Sequence, residues 1–417
     1  MARIAVFSVP AYGHLNPVLP IVRELARRGH RVTVFNEQSF APLIAPTGAD
    51  FVAYPPVIHL EDFSRTLKDG DMIAWMEMIM GATGPLADFG FRQLNDDPHD
   101  VIVFDGIAVW GEMLAKRLGL ASVAISTTFM SDAIPRTAGE VARDTLSIAT
   151  HLPGFFVGFL KLLVSRGVAI PWGLPIIPRQ GDETLMLTSK AFHPPSRRRD
   201  EPQFAFVGCS IAPDTRREDF DFGQLDGRPL LYISLGTLHH GNSAFFDTCI
   251  EAFADSPMQV LVSVGRGTDL RQYAGAPLNF IFAEAVPQLA VLERTHIFLT
   301  HGGLNSVHEG LWHGVPMVAV PQQIEQLHNA EAMQAAGAGI LIDGKARGGK
   351  ISAAVLSGAV ERIEASHAAF AEAAARMGET LRAGGGFTAA ADRIEAIARN
   401  RSAAIHDGSG KPSPSGA

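Results

Sequence analysis

Three short stretches of this chain carry residue types that could do chemistry. The first is Pro10-Ala-Tyr-Gly-His-Leu-Asn16, which places His14 in a loop after the apolar run Ile4 to Phe7. An imidazole changes charge near neutral pH and can take up or release a proton there. The second is Asp105, at the end of the apolar run Val101 to Phe104. A carboxylate bonded to one imidazole nitrogen sets the tautomer and stabilises the imidazolium. The third is Thr300-His-Gly-Gly-Leu-Asn-Ser306, followed by Glu309. A glycine-rich turn that opens a helix offers bare N–H groups and partial positive charge, which suit a diphosphate. Gly302 and Gly303 let the backbone approach closely, His301, Asn305 and Ser306 add side-chain donors, and Glu309 can accept from ribose hydroxyls. Each stretch also has a plain reading: a solvated loop histidine, an aspartate capping the helix beyond Gly106, and a strand-to-helix turn capped by Ser306.

Two further stretches extend this chemistry. Pro321-Gln-Gln-Ile-Glu-Gln326 follows the apolar run Met317 to Val320. Its Glu325 and Gln326 set a carboxylate beside a carboxamide, the acceptors and donors that vicinal sugar hydroxyls need; alone, Glu325 reads as a solvated helix-start acid. Ser234-Leu-Gly-Thr237 ends another apolar run, where the small hydroxyl groups of Ser234 and Thr237 beside Gly236 can meet phosphate oxygens. The triplets Asp69-Gly-Asp71 and Asp219-Phe-Asp221 read as solvated, and the histidines lack zinc spacing.

The elements that must position these residues alternate from end to end. Ile4 to Phe7, Arg31 to Phe35, Val101 to Phe104 and Ser122 to Ile125 read as strands. Between the first two, Asn16 is placed to cap a helix with Pro17 at its first position, and Gly29 to stop it. A second series runs Leu230–Leu235, Gln259–Val264, Asn279–Phe282, Ile297–Thr300, Met317–Val320 and Ile340–Ile342. This order predicts an α/β fold, two Rossmann-like halves with parallel sheets facing each other across a cleft. The expected boundaries are 1–211 for the first half, 212–227 for a polar linker, 228–401 for the second half and 402–417 for a disordered Ser/Gly/Pro-rich tail. Ser352 to Asn400 reads as helical, broken at Gly384-Gly-Gly386.

Composition bounds the function. With 417 residues, 47% hydrophobic and 19% charged, the chain has ample core for two or three domains. A net charge of −8 argues against a nucleic-acid partner. Two cysteines, Cys209 and Cys249, give no disulfide framework and fit a reducing cytoplasm. Met1 to Val9 reads as a first strand and not a signal peptide, and no apolar run reaches the ~18–20 residues that span a bilayer. The run Leu152–Val164 is read as a buried or pocket-lining helix, with contact to a membrane surface as the alternative. The sequence is silent on oligomeric state.

Val286-Pro-Gln288, the 300–306 turn, Glu309, Gly314-Val-Pro316 and Pro321–Gln326 together resemble the signature of family 1 nucleotide-sugar glycosyltransferases, of the macrolide and natural-product type. The resemblance covers nearly the whole chain. It implies a GT-B-like fold in which 1–211 binds the acceptor and 228–401 the nucleotide-sugar donor, and whose C-terminal helix packs back on the N-terminal half. It implies inverting, metal-independent transfer of a hexose, glucose first, from UDP-glucose or a TDP-sugar to a hydroxyl of a hydrophobic small molecule. No further cofactor is implied. His14 corresponds to the general base and Asp105 to its partner. Val286 and Gln288 fall at the nucleoside, and Glu325 and Gln326 at the hexose. Ala285 stands where many relatives carry an aromatic residue that stacks on the base, which leaves uracil and thymine both open. Acceptor clues are diffuse: the Met-rich run with Met76 and Met80, and Phe129, Phe155 and Phe159, suggest a pliable apolar pocket, although core packing explains such runs more often. The alternatives are a lipid, sterol or carotenoid glycosyltransferase at a membrane surface, and a sugar-nucleotide-binding protein without catalysis.

Overall fold

A computed structural model of the chain describes residues 1–62, 72–133, 180–212, 219–236, 243–343 and 351–406. Two compact units emerge: Met1–Leu187 with Ser196–Ser210 and Gly385–Ala417, and Ile211–Gly384 with Thr188–Pro195.

The first unit is built on a seven-stranded sheet. Its strands are β1 (Arg3–Phe7), β2 (Arg31–Asn36), β3 (Asp50–Ala53), β4 (Val101–Asp105), β5 (Ala121–Ser126), β6 (Glu183–Met186) and β7 (Phe204–Phe206), in the order β3-β2-β1-β4-β5-β6-β7. Every neighbouring pair is parallel. In β1, Ile4 and Val6 enter one core with Leu19, Val22 and Leu25, while Ala5 and Phe7 enter another with Phe104 and Trp110. Burial on both faces is why the strand reads as an unbroken apolar run.

The second unit holds β8 (Leu230–Ser234), β9 (Gln259–Ser263), β10 (Phe280–Ala283), β11 (Thr295–Thr300), β12 (Met317–Ala319) and β13 (Gly339–Leu341), in the order β10-β9-β8-β11-β12-β13. It too is parallel throughout. The two parallel α/β sheets and all six expected strands of the second series are present. Three strands of the first sheet, β3, β6 and β7, were not expected. Each is three or four residues long and lies toward an edge of the sheet, too short to show a period.

Helix ends differ from expectation in three places. Asn16 does not cap the first long helix. It sits in αR conformation, closing a one-turn helix at Tyr12–Leu15, and the long helix Leu19–Arg27 starts after Val18 with Pro20 in its first turn. An N-cap needs extended backbone, which Asn16 lacks. The C-terminal region forms three helices, Ala353–Glu364, His367–Ala383 and Gly386–His406, so the chain breaks at Ala365-Ser366 as well as at the glycines. The last helix runs to His406, into the stretch expected to lack structure, because Ser402-Ala-Ala-Ile-His406 contains no breaker; 407–417 lie outside the described residues.

That last helix packs on the first unit, as the resemblance implied. Ala390, Ala391, Ile394 and Ala398 share a core with Ile21, Val22 and Leu25. Arg28 pairs with Asp392 at 2.6 Å and His30 with Glu395 at 2.7 Å. The turn into it needs glycine: Gly385 and Gly386 have φ of 86° and 57°, and a Cβ on Gly386 would lie 2.7 Å from the Cys209 carbonyl.

In the second unit, His308 is fully buried, with its Nε2 3.1 Å from Thr188 Oγ1 and its ring edge-on to Phe192. Burial drives this imidazole down to about 3, while in the unfolded chain it titrates near 6.5. Between those values the unfolded chain binds a proton that the folded one does not. Stability therefore falls as pH drops below about 6.5, down to about 3. Melting curves at pH 7 and pH 5 are expected to show a larger drop in Tm for the wild type than for His308→Gln. Equal drops would assign the acid sensitivity to other groups.

Candidate active site

His14 sits on the one-turn helix after β1, anchored by the fully buried Leu15 beside it. Asp105 ends β4, the strand next to β1. Its carboxylate is 1% exposed against 16% for the His14 side chain, so the pair presents imidazole, not carboxylate, to solvent. His14 Nδ1 lies 2.7 Å from Asp105 Oδ2. An ionised carboxylate only accepts, so Nδ1 carries the proton and Nε2 holds the lone pair. The other oxygen, Oδ1, accepts from the Ile107 backbone N–H at 2.8 Å. Asp105 does not cap the helix Val109–Leu118, which starts after Ala108 with no side-chain cap; one of its oxygens holds the preceding turn and the other the imidazole. Thr127, just beyond β5, places its Oγ1 3.2 Å from the same Nδ1. Sequence reasoning missed Thr127, although it follows a strand end as Asp105 does.

In the second unit the 300–306 turn follows β11 and opens the helix Leu304–Trp312. The helix begins at Gly303, whose backbone is extended, and no side chain caps it. The expected caps Asn305 and Ser306 fall inside the first turn instead, because the extended backbone comes two residues earlier. The His301 ring lies against two glycines: a Cβ on Gly236 would stand 2.6 Å from His301 Cε1, and one on Gly303 2.5 Å from its Nε2. Gly236, after Ser234, and Gly302 adopt φ of 72° and 81°. These glycines make room for an imidazole beside an uncapped helix start, a combination that can receive an anion. Ser234 is buried at the end of β8 and its Oγ accepts from Gly236 N–H at 3.3 Å. Thr237 lies outside the described residues.

Glu309 is 1% exposed, and its Oε2 accepts from Gln288 Nε2 at 2.6 Å. Val286 is buried just before the helix Gln288–Leu292. Glu325 and Gln326 are adjacent in the first turn of one helix but differ in burial. Glu325 is exposed in the first turn of the helix Ile324–Ala335, whereas Gln326 is buried and its Oε1 accepts from Gln322 N–H at 2.8 Å.

The acceptor candidates divide as well. Met76 packs in the first unit's core with Trp75 and Ile79, and Met80 is buried. Core packing accounts for Met76 in place of a pocket wall. Phe129 does line a cavity, with Met130, Met186, Arg198 and Phe204. Phe155, Phe159 and the run Leu152–Val164 lie outside the described residues, as does Asp69-Gly-Asp71. Asp221 accepts from Gly223 N–H at 2.9 Å. Among the described residues no group of three or more metal-ligating side chains could hold an ion, and no helix is long and apolar enough to cross a membrane.

Solved structures share this architecture. The glycotransferase of kitacinnamycin superposes with a TM-score of 0.81 at 30% identity, over 95% of this chain and 99% of that one. The calicheamicin glycosyltransferase CalG4 gives 0.74 at 26% identity, over 95% and 98%. Two parallel Rossmann-like sheets with these likenesses define the class, the GT-B glycosyltransferases. Residues 202–368 match the family model of UDP-glucoronosyl and UDP-glucosyl transferase. The NDP-glycosyltransferase YjiC of Bacillus licheniformis is 31% identical over 81% of this chain and 84% of its own length. The oleandomycin glycosyltransferase of Streptomyces antibioticus is 30% identical over 81% and 78%. The chain therefore belongs to the UDP-glucoronosyl and UDP-glucosyl transferase family and is a sugar-transferring enzyme.

Proposed function

We propose that the protein moves a hexose, glucose in the first instance, from UDP or TDP to a hydroxyl of a hydrophobic small molecule, with inversion and without a metal ion. The observation that carries this is the 2.7 Å His14–Asp105 bond at adjoining strand ends. It leaves Nε2 as a base and gives the imidazolium a buried counter-charge. The acceptor hydroxyl gives its proton to His14 Nε2 as its oxygen attacks the anomeric carbon. The bond from that carbon to the diphosphate breaks, and the nucleoside diphosphate leaves with the electron pair. His301 and the N–H groups of residues 304–306 receive its charge, and Glu309 accepts from the ribose. Such preorganised donors are typically worth roughly 2.7–4 kcal/mol each. The acceptor class is supported by relatives named for oleandomycin and kitacinnamycin.

Incubation with UDP-glucose and TDP-glucose against macrolides, polyketides and phenols is expected to yield products heavier by one hexose. Hydrolysis or nucleotide binding without any glycosylated product would remove the catalytic reading.

A further inference from the structure

Tyr232 has no part in the chemistry derived so far, yet it stands at the head of a buried polar chain that ends on Glu309. Its ring is 1% exposed in the middle of β8 and stacks on Phe298 with centroids 5.0 Å apart. Its hydroxyl lies 3.1 Å from Gln288 Oε1, and Gln288 Nε2 lies 2.6 Å from Glu309 Oε2.

Chemistry allows one direction for this chain. The ionised Glu309 carboxylate only accepts, so Gln288 must present its NH₂ group to it. The amide oxygen then faces Tyr232, and the phenol must be the donor. A flipped amide would put oxygen against carboxylate and lose the bond to Glu309, keeping only an N–H donated to the phenol oxygen. We infer that Tyr232 is a positioning residue for nucleotide binding: by donating to Gln288 Oε1 it holds the amide in the one orientation that pins the Glu309 carboxylate. The inference rests on the reading of Glu309 as a ribose acceptor. It also gives Gln288, expected at the nucleoside, a bridging role behind Glu309.

The test is a double-mutant cycle read as nucleotide affinity by calorimetry with UDP and TDP. Tyr232→Phe keeps the ring and its stack on Phe298 and removes only the hydroxyl. It is expected to weaken nucleotide binding by about threefold to tenfold, the worth of one buried hydrogen bond, with the KM for acceptor unchanged. In a Glu309→Ala background, Tyr232→Phe should have no further effect, because the group it positions is gone. Gln288→Leu should behave like Tyr232→Phe or worse, and should likewise mask it. Unchanged affinity in Tyr232→Phe, equal weakening of donor and acceptor, or additive losses in the double variant would each overturn the assignment. Failure of the wild type to bind either nucleotide would instead overturn the functional reading beneath it.

Discussion

His14→Ala is expected to lower turnover by about 10²- to 10⁴-fold, the usual worth of general-base catalysis, while nucleotide affinity measured by calorimetry stays at the wild-type level. The split follows from where the residues sit. His14 belongs to the first unit, whereas the groups proposed to hold the nucleotide, His301, the helix start at Gly303 and Glu309, belong to the second, and the imidazole is not one of them. The variant also leaves the Asp105 carboxylate buried beside a void, still held through Ile107 N–H, and a parallel melting curve separates lost folding from lost chemistry. Turnover within tenfold of wild type would remove His14 from the mechanism.

Much of this arrangement was legible in the sequence, for identifiable reasons. Strands buried on both faces appear as continuous apolar runs, and catalytic groups of a parallel sheet gather at the carboxyl ends of such runs. His14 after β1 and Asp105 at the end of β4 were therefore visible as candidates before their hydrogen bond was. What stayed hidden depended on contacts between distant segments. Tyr232 looks like any apolar strand residue until Gln288, 56 positions away, meets its hydroxyl. Glu325 and Gln326 look alike in setting, and only the fold shows one exposed and the other buried and accepting from Gln322 N–H. Met76 illustrates the converse: a Met-rich stripe is equally consistent with a ligand wall and a core, and only packing against Trp75 and Ile79 decides. Asn16 and Ser306 failed as caps because capping depends on one residue's backbone angles, a property that residue type biases without determining.

Asp105→Asn is expected to be nearly as damaging as loss of His14, and more damaging than Asp105→Ala, although asparagine is the closer mimic in shape. The reason lies in the two bonds of the carboxylate. Oδ1 accepts from Ile107 N–H and Oδ2 from His14 Nδ1–H. A carboxamide has one accepting oxygen, and the backbone N–H of Ile107 can only donate, so that oxygen is held at the turn. The NH₂ group must then face His14 Nδ1 and can bond only to its lone pair. This fixes the proton on Nε2, the nitrogen that has to receive one from the acceptor alcohol, and the base is blocked as well as deprived of its counter-charge. A wrong tautomer in a comparable His–Asp pair costs about 10⁴ in turnover. Asp105→Ala imposes no such tautomer. It leaves Thr127 Oγ1, 3.2 Å from Nδ1, to accept the Nδ1 proton in place of the carboxylate, so a fraction of the imidazole remains competent. Because Asp105 acts through His14, adding either change to His14→Ala should produce little further loss. The decisive measurements are kcat for the single and double variants, with nucleotide affinity as the control for folding. A Asp105→Asn enzyme more active than Asp105→Ala would mean that the Asp105 bond to His14 does not set the tautomer used in turnover.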